Sequence, residues 1–137
     1  MVDHQSHVIS KQALWAGRIV SALPGLMLLF SGAMKVARPE AVLKGFSDLG
    51  YPQDLALGIG ILELVCTLFY LVPATAVLGA ILLTGYMGGA IATHVRLGEP
   101  FFAQVILGVL IWLGLYLRDA RVRELIPLRS SGVNSNE

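Results

Sequence analysis

Residues Ala74 to Thr93 read ATAVLGAILLTGYMGGAIAT, a stretch of 20 positions without a single charged side chain. A helix rises about 1.5 Å per residue, so roughly 20 residues cross a hydrocarbon layer of about 30 Å. The stretch predicts a membrane-spanning helix, and its neighbours follow the same pattern. Upstream, Leu55 to Val72 is broken only by Glu63, and Ala13 to Met34 only by Arg18. Downstream, Phe101 to Leu117 is uncharged. The runs lack the alternation of a barrel strand and are about twice as long as one needs to be. Pro24 and the frequent glycines suit membrane helices, which tolerate both.

Composition agrees. Hydrophobic residues make up 55% of the 137-residue chain and charged residues only 14%, where a soluble domain carries about 25%. The mean hydropathy is +0.72. A chain this short is mostly surface, so the missing charge cannot be hidden in a core, which argues against a soluble enzyme. The net charge of +1 leaves no basic footprint for nucleic acid. The lone Cys66 excludes an internal disulfide, and with three dispersed histidines it makes no zinc site. His4 and His7 belong to a polar tail.

The expected architecture is all-α: an antiparallel four-helix transmembrane bundle over residues 13–117. Residues 1–12 form a polar tail before it, and residues 118–137 a basic, then polar, tail after it. Short connections around Pro73 and from Val95 to Pro100 force adjacent helices to run in opposite directions. The longer Ala37–Asp54 connection holds Pro39, suited to a first helical turn, and Gly50, suited to a C-terminal cap. Val42, Phe46 and Leu49 share one face between them, which predicts a short amphipathic helix lying in the interface.

Lys11, Arg18, Arg118, Arg121, Arg123 and Arg129 fall on the side of the termini, against Lys35, Arg38, Lys44 and Arg96 on the other. That bias places both termini in the cytoplasm. Ala76, Ala80, Thr84 and Gly88 recur every four residues, beside Gly85-x-x-x-Gly89, and Ala56-x-x-x-Gly60 lies in the preceding run. Small residues let membrane helices approach closely. The third run is therefore expected to pack centrally, with Ala80, Thr84 and Gly88 against protein. The same stripe could seal a homo-oligomer, but internal packing is the simpler use.

Glu63 is the most informative position. It sits about 12 Å into its run at 1.5 Å per residue, and an acid at the middle of a membrane helix costs about 2.5–3.5 kcal/mol on insertion scales. Two arrangements are open. Tyr86 and Thr84, at similar depth, and Ser31, somewhat shallower, would suit a protonated, neutral acid. Lys35 and His94, near the ends of their helices, would have to reach inward to pair with an ionised one. Depth counting favours the neutral acid, because the ion pair needs staggered helices. Arg18 and Lys35 singly read as snorkelling residues, and His94 as an interfacial histidine bonded to a loop carbonyl.

Arg18, Ser31-Gly32-x-x-Lys35, Gly45-Phe46-x-x-Leu49-Gly50-Tyr51-Pro52, Leu57-Gly58, Glu63-Leu64, Gly89-Ala90 and Thr93-His94, in this order, resemble the DoxX-like family from Ile19 to Leu117. The resemblance implies a small four-helix protein of a prokaryotic cytoplasmic membrane. Its recurrent polar positions fall here on Arg18, Lys35, Glu63 and His94, and a recurring lysine and glutamate favour an ion pair. Relatives include a small subunit associated with thiosulfate:quinone oxidoreductase or terminal quinol oxidase assemblies. The function this implies is an accessory or interaction subunit of a quinone-linked membrane redox system, whose partners are the bilayer and a redox protein. The alternative is a binding protein for a quinone or other lipophilic molecule, with Glu63 as its polar handle. No CxxC pair, nucleotide-binding glycine loop or haem-type histidine pair is visible, so no cofactor or metal is expected, the catalytic residues stay unassigned, and a membrane enzyme ranks behind both readings.

Overall fold

The computed structural model describes residues 8–126. His4, His7 and Arg129 lie outside the described residues. Within them the chain is helical, with no strand: α1 (Lys11–Ala37), α2 (Glu40–Asp48), α3 (Leu55–Leu71), α4 (Ala76–Leu97), α5 (Phe102–Arg118) and α6 (Ala120–Leu125). Ser10 starts α1 by accepting a hydrogen bond from the Ala13 amide at 3.2 Å, which satisfies one of the free donors of a helix start. The helix ends where Arg38 turns left-handed at φ 55° and Pro39 follows. Pro39 then caps α2, and Gly50 at φ 77° ends the turn after it.

α1 and α4, of 27 and 22 residues, are long and apolar enough to cross a membrane. α3 and α5 are shorter apolar helices of 17 residues each. Outward-facing side chains are largely apolar: Phe30 is 69% exposed, Leu26 67% and Ile19 66%. So large an apolar exterior suits a chain whose solvent is not water.

The core gathers Leu28, Cys66, Tyr70, Ala80, Leu83, Met87, Ile111 and Leu115. α1 packs most extensively, against α3 on one side and α5 on the other, while α4 joins α3 and α5. The sequence expectation of a central third run is therefore corrected: α1 occupies that place. Ala80 is buried as expected, but Thr84 and Gly88 face outward, and a Cβ built on Gly85, Gly88 or Gly89 would touch nothing. The reason lies in α1, where Gly17, Ser21 and Gly25 recur every four residues, all buried, with Gly32 two turns on. A Cβ on Gly17 would stand 2.8 Å from the Arg118 backbone, and one on Gly25 2.8 Å from the Leu71 side chain. Close backbone approach, which lets helices in lipid pack, recurs along this face, while on α4 it is made by Gly79, against the Tyr70 backbone of α3.

α2 realises the expected amphipathic helix, with Phe46 buried, Val42 and Leu49 half-buried, and Lys44 and Asp48 exposed. Residues 120–125, assigned from sequence to a tail, form α6 instead. Val122 is buried against the core, and the Arg123 guanidinium donates to the Tyr116 and Leu117 carbonyls at 2.7 and 2.9 Å. A cation on the last carbonyls of α5 also complements its dipole.

Candidate functional site

Lys35 Nζ lies 2.7 Å from Glu63 Oε2. The glutamate is 1% exposed, and the same ammonium donates to Ser31 Oγ one turn back. Glu63 therefore has beside it the cation that depth counting placed out of reach, the arrangement of an ion pair and not of an acid among neutral partners alone. Depth counting failed because the helices are offset. The Lys35 Cβ packs directly over Gly60, where a Cβ on the glycine would come within 2.7 Å of it. Lys35 thus stands only three residues from Glu63 along α3, roughly one helical turn, well within the reach of a lysine stem. The lysine turns inward instead of snorkelling.

The pair forms part of the wall of a cavity of about 680 Å³. Leu28, Ile59, Leu62, Leu82 and Leu107 supply much of its apolar surface. Tyr86 reaches in from α4 beside the Glu63 carboxylate. Phe46, Leu49 and Tyr51 close one wall from α2 and the turn behind it. That wall is tied to α4 twice: Tyr51 Oη and Thr93 Oγ1 are 2.8 Å apart, and the Arg96 guanidinium donates to the Leu49 carbonyl at 3.0 Å.

His94 also lines the cavity. Its Nδ1 is 2.8 Å from the Ala90 carbonyl, and Gln104 Nε2 is 3.3 Å from its Nε2. A carbonyl only accepts, so Nδ1 carries a proton, and in the neutral ring Nε2 accepts from the glutamine amide. The carbonyl belongs to α4 itself and not to a loop.

Lys35, Ser31, Glu63, Tyr86 and His94 are thus brought to one cavity. Thr84 is not. Its hydroxyl donates to the Ala80 carbonyl at 2.7 Å and accepts from Trp112 Nε1 at 2.8 Å, on the other side of α4, so it is no partner of Glu63. Arg18 is exposed near the opposite end of α1, 5.4 Å above the Trp15 ring. At about 1.5 Å per residue it stands roughly 25 Å from Lys35. Gln104 escaped the sequence reading, though an amide in an otherwise apolar run is a visible signal. Among the described residues, no group of three or more His, Cys, Asp or Glu side chains could hold a metal.

The fold and the site together define an all-helical protein with an apolar exterior and an ammonium–carboxylate pair set in the wall of a largely apolar cavity. The chain belongs to the DoxX-like family, whose model matches residues 19–116; that family is membrane-associated. Comparison with curated proteins and with solved structures gives no match.

Proposed function

We propose that α1, α3, α4 and α5 form an antiparallel bundle crossing the membrane four times, with both termini cytoplasmic, and that its cavity binds a quinone or other lipophilic small molecule. The observation that carries this reading is the Lys35–Glu63 pair in the wall of an apolar cavity of about 680 Å³. Ligand sites typically enclose about 300–1,000 Å³ of mostly apolar surface with a few placed polar groups. A purely structural origin for the pair is the weaker account, since well-packed apolar residues usually stabilise as much or more. Ionisable groups inside a membrane mark function by default. Purification in mild detergent, lipid extraction and mass spectrometry test the reading. A lipophile at one per chain, lost on filling the cavity with Leu107→Trp, is the expected result. No retained lipophile, together with no binding of an added alkyl benzoquinone or of its hydroquinone, overturns it.

The second reading is an accessory subunit of a quinone-linked membrane redox assembly. It is favoured by an apolar groove between α4 and α5, where Gly88 and Gly108 present backbone without side chains. A partner's membrane helix or a second copy of this chain would fit there. Co-purification of a stoichiometric redox protein, abolished by Gly108→Leu, supports this reading over the first. Haem or flavin absorption from the isolated chain would favour an enzyme over both.

A further inference from the structure

We propose that the cavity selects a lipophile whose polar head donates a hydrogen bond, such as a phenol or hydroquinone, over one whose head only accepts, such as a quinone. This rests on the lipophile-binding reading above. Its basis is an excess of acceptors at the polar end. A carboxylate accepts only, at about four lone-pair positions. Lys35 fills one at 2.7 Å, and the single hydroxyl proton of Tyr86, beside the carboxylate, can fill one more. Glu63 is closed off from the exterior at 1% exposure and lines the cavity, so a group that meets its remaining capacity has to come from the cavity side.

The wall that holds His94 and Gln104 does not change this balance at Glu63. The His94 Nδ1 proton goes to the Ala90 carbonyl and its Nε2 faces the Gln104 amide, so the ring itself adds no free donor in its neutral form. The only surplus donor beside Glu63 is Lys35, whose ammonium has given two of its three protons, to Glu63 and Ser31. A ligand hydroxyl answers both groups: its proton goes to the carboxylate, and its oxygen accepts from the lysine. A carbonyl head answers the lysine alone and sets its lone pairs against those of Glu63.

The test uses the full chain in nanodiscs under anaerobic conditions, with three probes: a decyl-substituted hydroquinone, its quinone and its dimethyl ether. The ether keeps the aromatic ring but has no proton to donate. The hydroquinone is expected to bind at least about tenfold more tightly than either other probe, the factor for one hydrogen bond to a charged group. In Glu63→Gln, whose amide both donates and accepts, the ratio should fall below about threefold. If that protein does not fold, Lys35→Gln/Glu63→Gln, a neutral hydrogen-bonded pair of similar shape, takes its place. A quinone or ether that binds as tightly as the hydroquinone overturns the proposal. So does a preference that survives in the folded variant. Failure of all three probes to bind overturns the lipophile reading and this proposal with it, a result distinct from binding without preference.

Discussion

Gly32 of α1 and Gly60 of α3 lie against each other with no side chain between them. A Cβ on Gly60 would fall 2.9 Å from the Gly32 carbonyl oxygen, and one on Gly32 would fall 3.3 Å from the Gly60 carbonyl oxygen. This contact fixes the separation and offset of the two helices. It therefore also fixes the level at which Lys35, three residues beyond Gly32, meets Glu63, three residues beyond Gly60. The ion pair follows from a glycine contact.

Gly60→Ala should accordingly be costly. The added methyl would meet the Gly32 carbonyl and the Val36 amide at 2.9 and 3.0 Å, and backbone cannot swing aside as a side-chain tip can. A loss of about 1–3 kcal/mol is expected, as for other overpacked sites. Gly88→Leu should leave stability within about 0.5 kcal/mol, because that position opens outward. Thermal melts of both variants in one detergent check the pair. A destabilised Gly88→Leu beside an unaffected Gly60→Ala would reverse the assignment of the packing faces.

What could be read in the sequence, and what could not, divides along a physical line. Apolar runs, Pro39 before α2, Gly50 after it and an acid amid leucines are local signals, each visible within a few residues. The offset of α1 against α3 is not local. It comes from how Gly32, Gly60 and the α2 connection fit together, and counting residues from run ends assumes that helices begin and end level. The stripe on α1 was hidden for another reason: Gly17, Ser21 and Gly25 sit among bulky outward residues such as Ile19, Leu23 and Leu26. On α4 the denser run of glycines drew attention to a face that packs against nothing. α6 is only 6 residues long, too short for periodicity to reveal.

The arrangement of the long helices predicts where tags should report. A reporter fused at Asn134 and one inserted within the Ala37–Asp54 connection should give opposite signals, the former cytoplasmic. The motive is the Lys/Arg bias toward the side of the termini, densest at Arg118, Arg121 and Arg123. Matching signals from the two sites would remove the four-span topology.

α6 should contribute measurably despite its length. Arg123→Ala removes two charge-assisted hydrogen bonds to the end of α5, at 2.7 and 2.9 Å. Such bonds contribute about 1.5–3 kcal/mol each at most, less where water can substitute. Val122→Ala removes buried apolar surface, at about 0.8 kcal/mol per methylene. Each variant should lower the melting temperature by several degrees while leaving ligand occupancy of the cavity intact. Ligand loss at unchanged stability would mean that α6 belongs to the site.

The Lys35–Glu63 pair gives the most discriminating prediction, because its two members are not equally buried. The lysine side chain retains 19% exposure and the glutamate 2%. Lys35→Met leaves a buried carboxylate without its cation, so a loss of about 3–5 kcal/mol is expected, as when one partner of a buried pair is removed. Glu63→Gln leaves an ammonium that still bonds Ser31 and the new amide oxygen and can shift toward the cavity, so its loss should be smaller, about 1–2 kcal/mol. Lys35→Met/Glu63→Gln leaves no net charge buried and should be more stable than Lys35→Met alone. Melts or denaturant titrations of the four proteins measure the coupling, with circular dichroism to confirm that each remains helical. If the two single losses simply add in the double variant, the groups do not interact and the 2.7 Å contact contributes nothing. If they couple by about 2 kcal/mol or more, the offset set by Gly32 and Gly60 has an energetic consequence, and Gly60→Ala should reduce that coupling as it drives the helices apart.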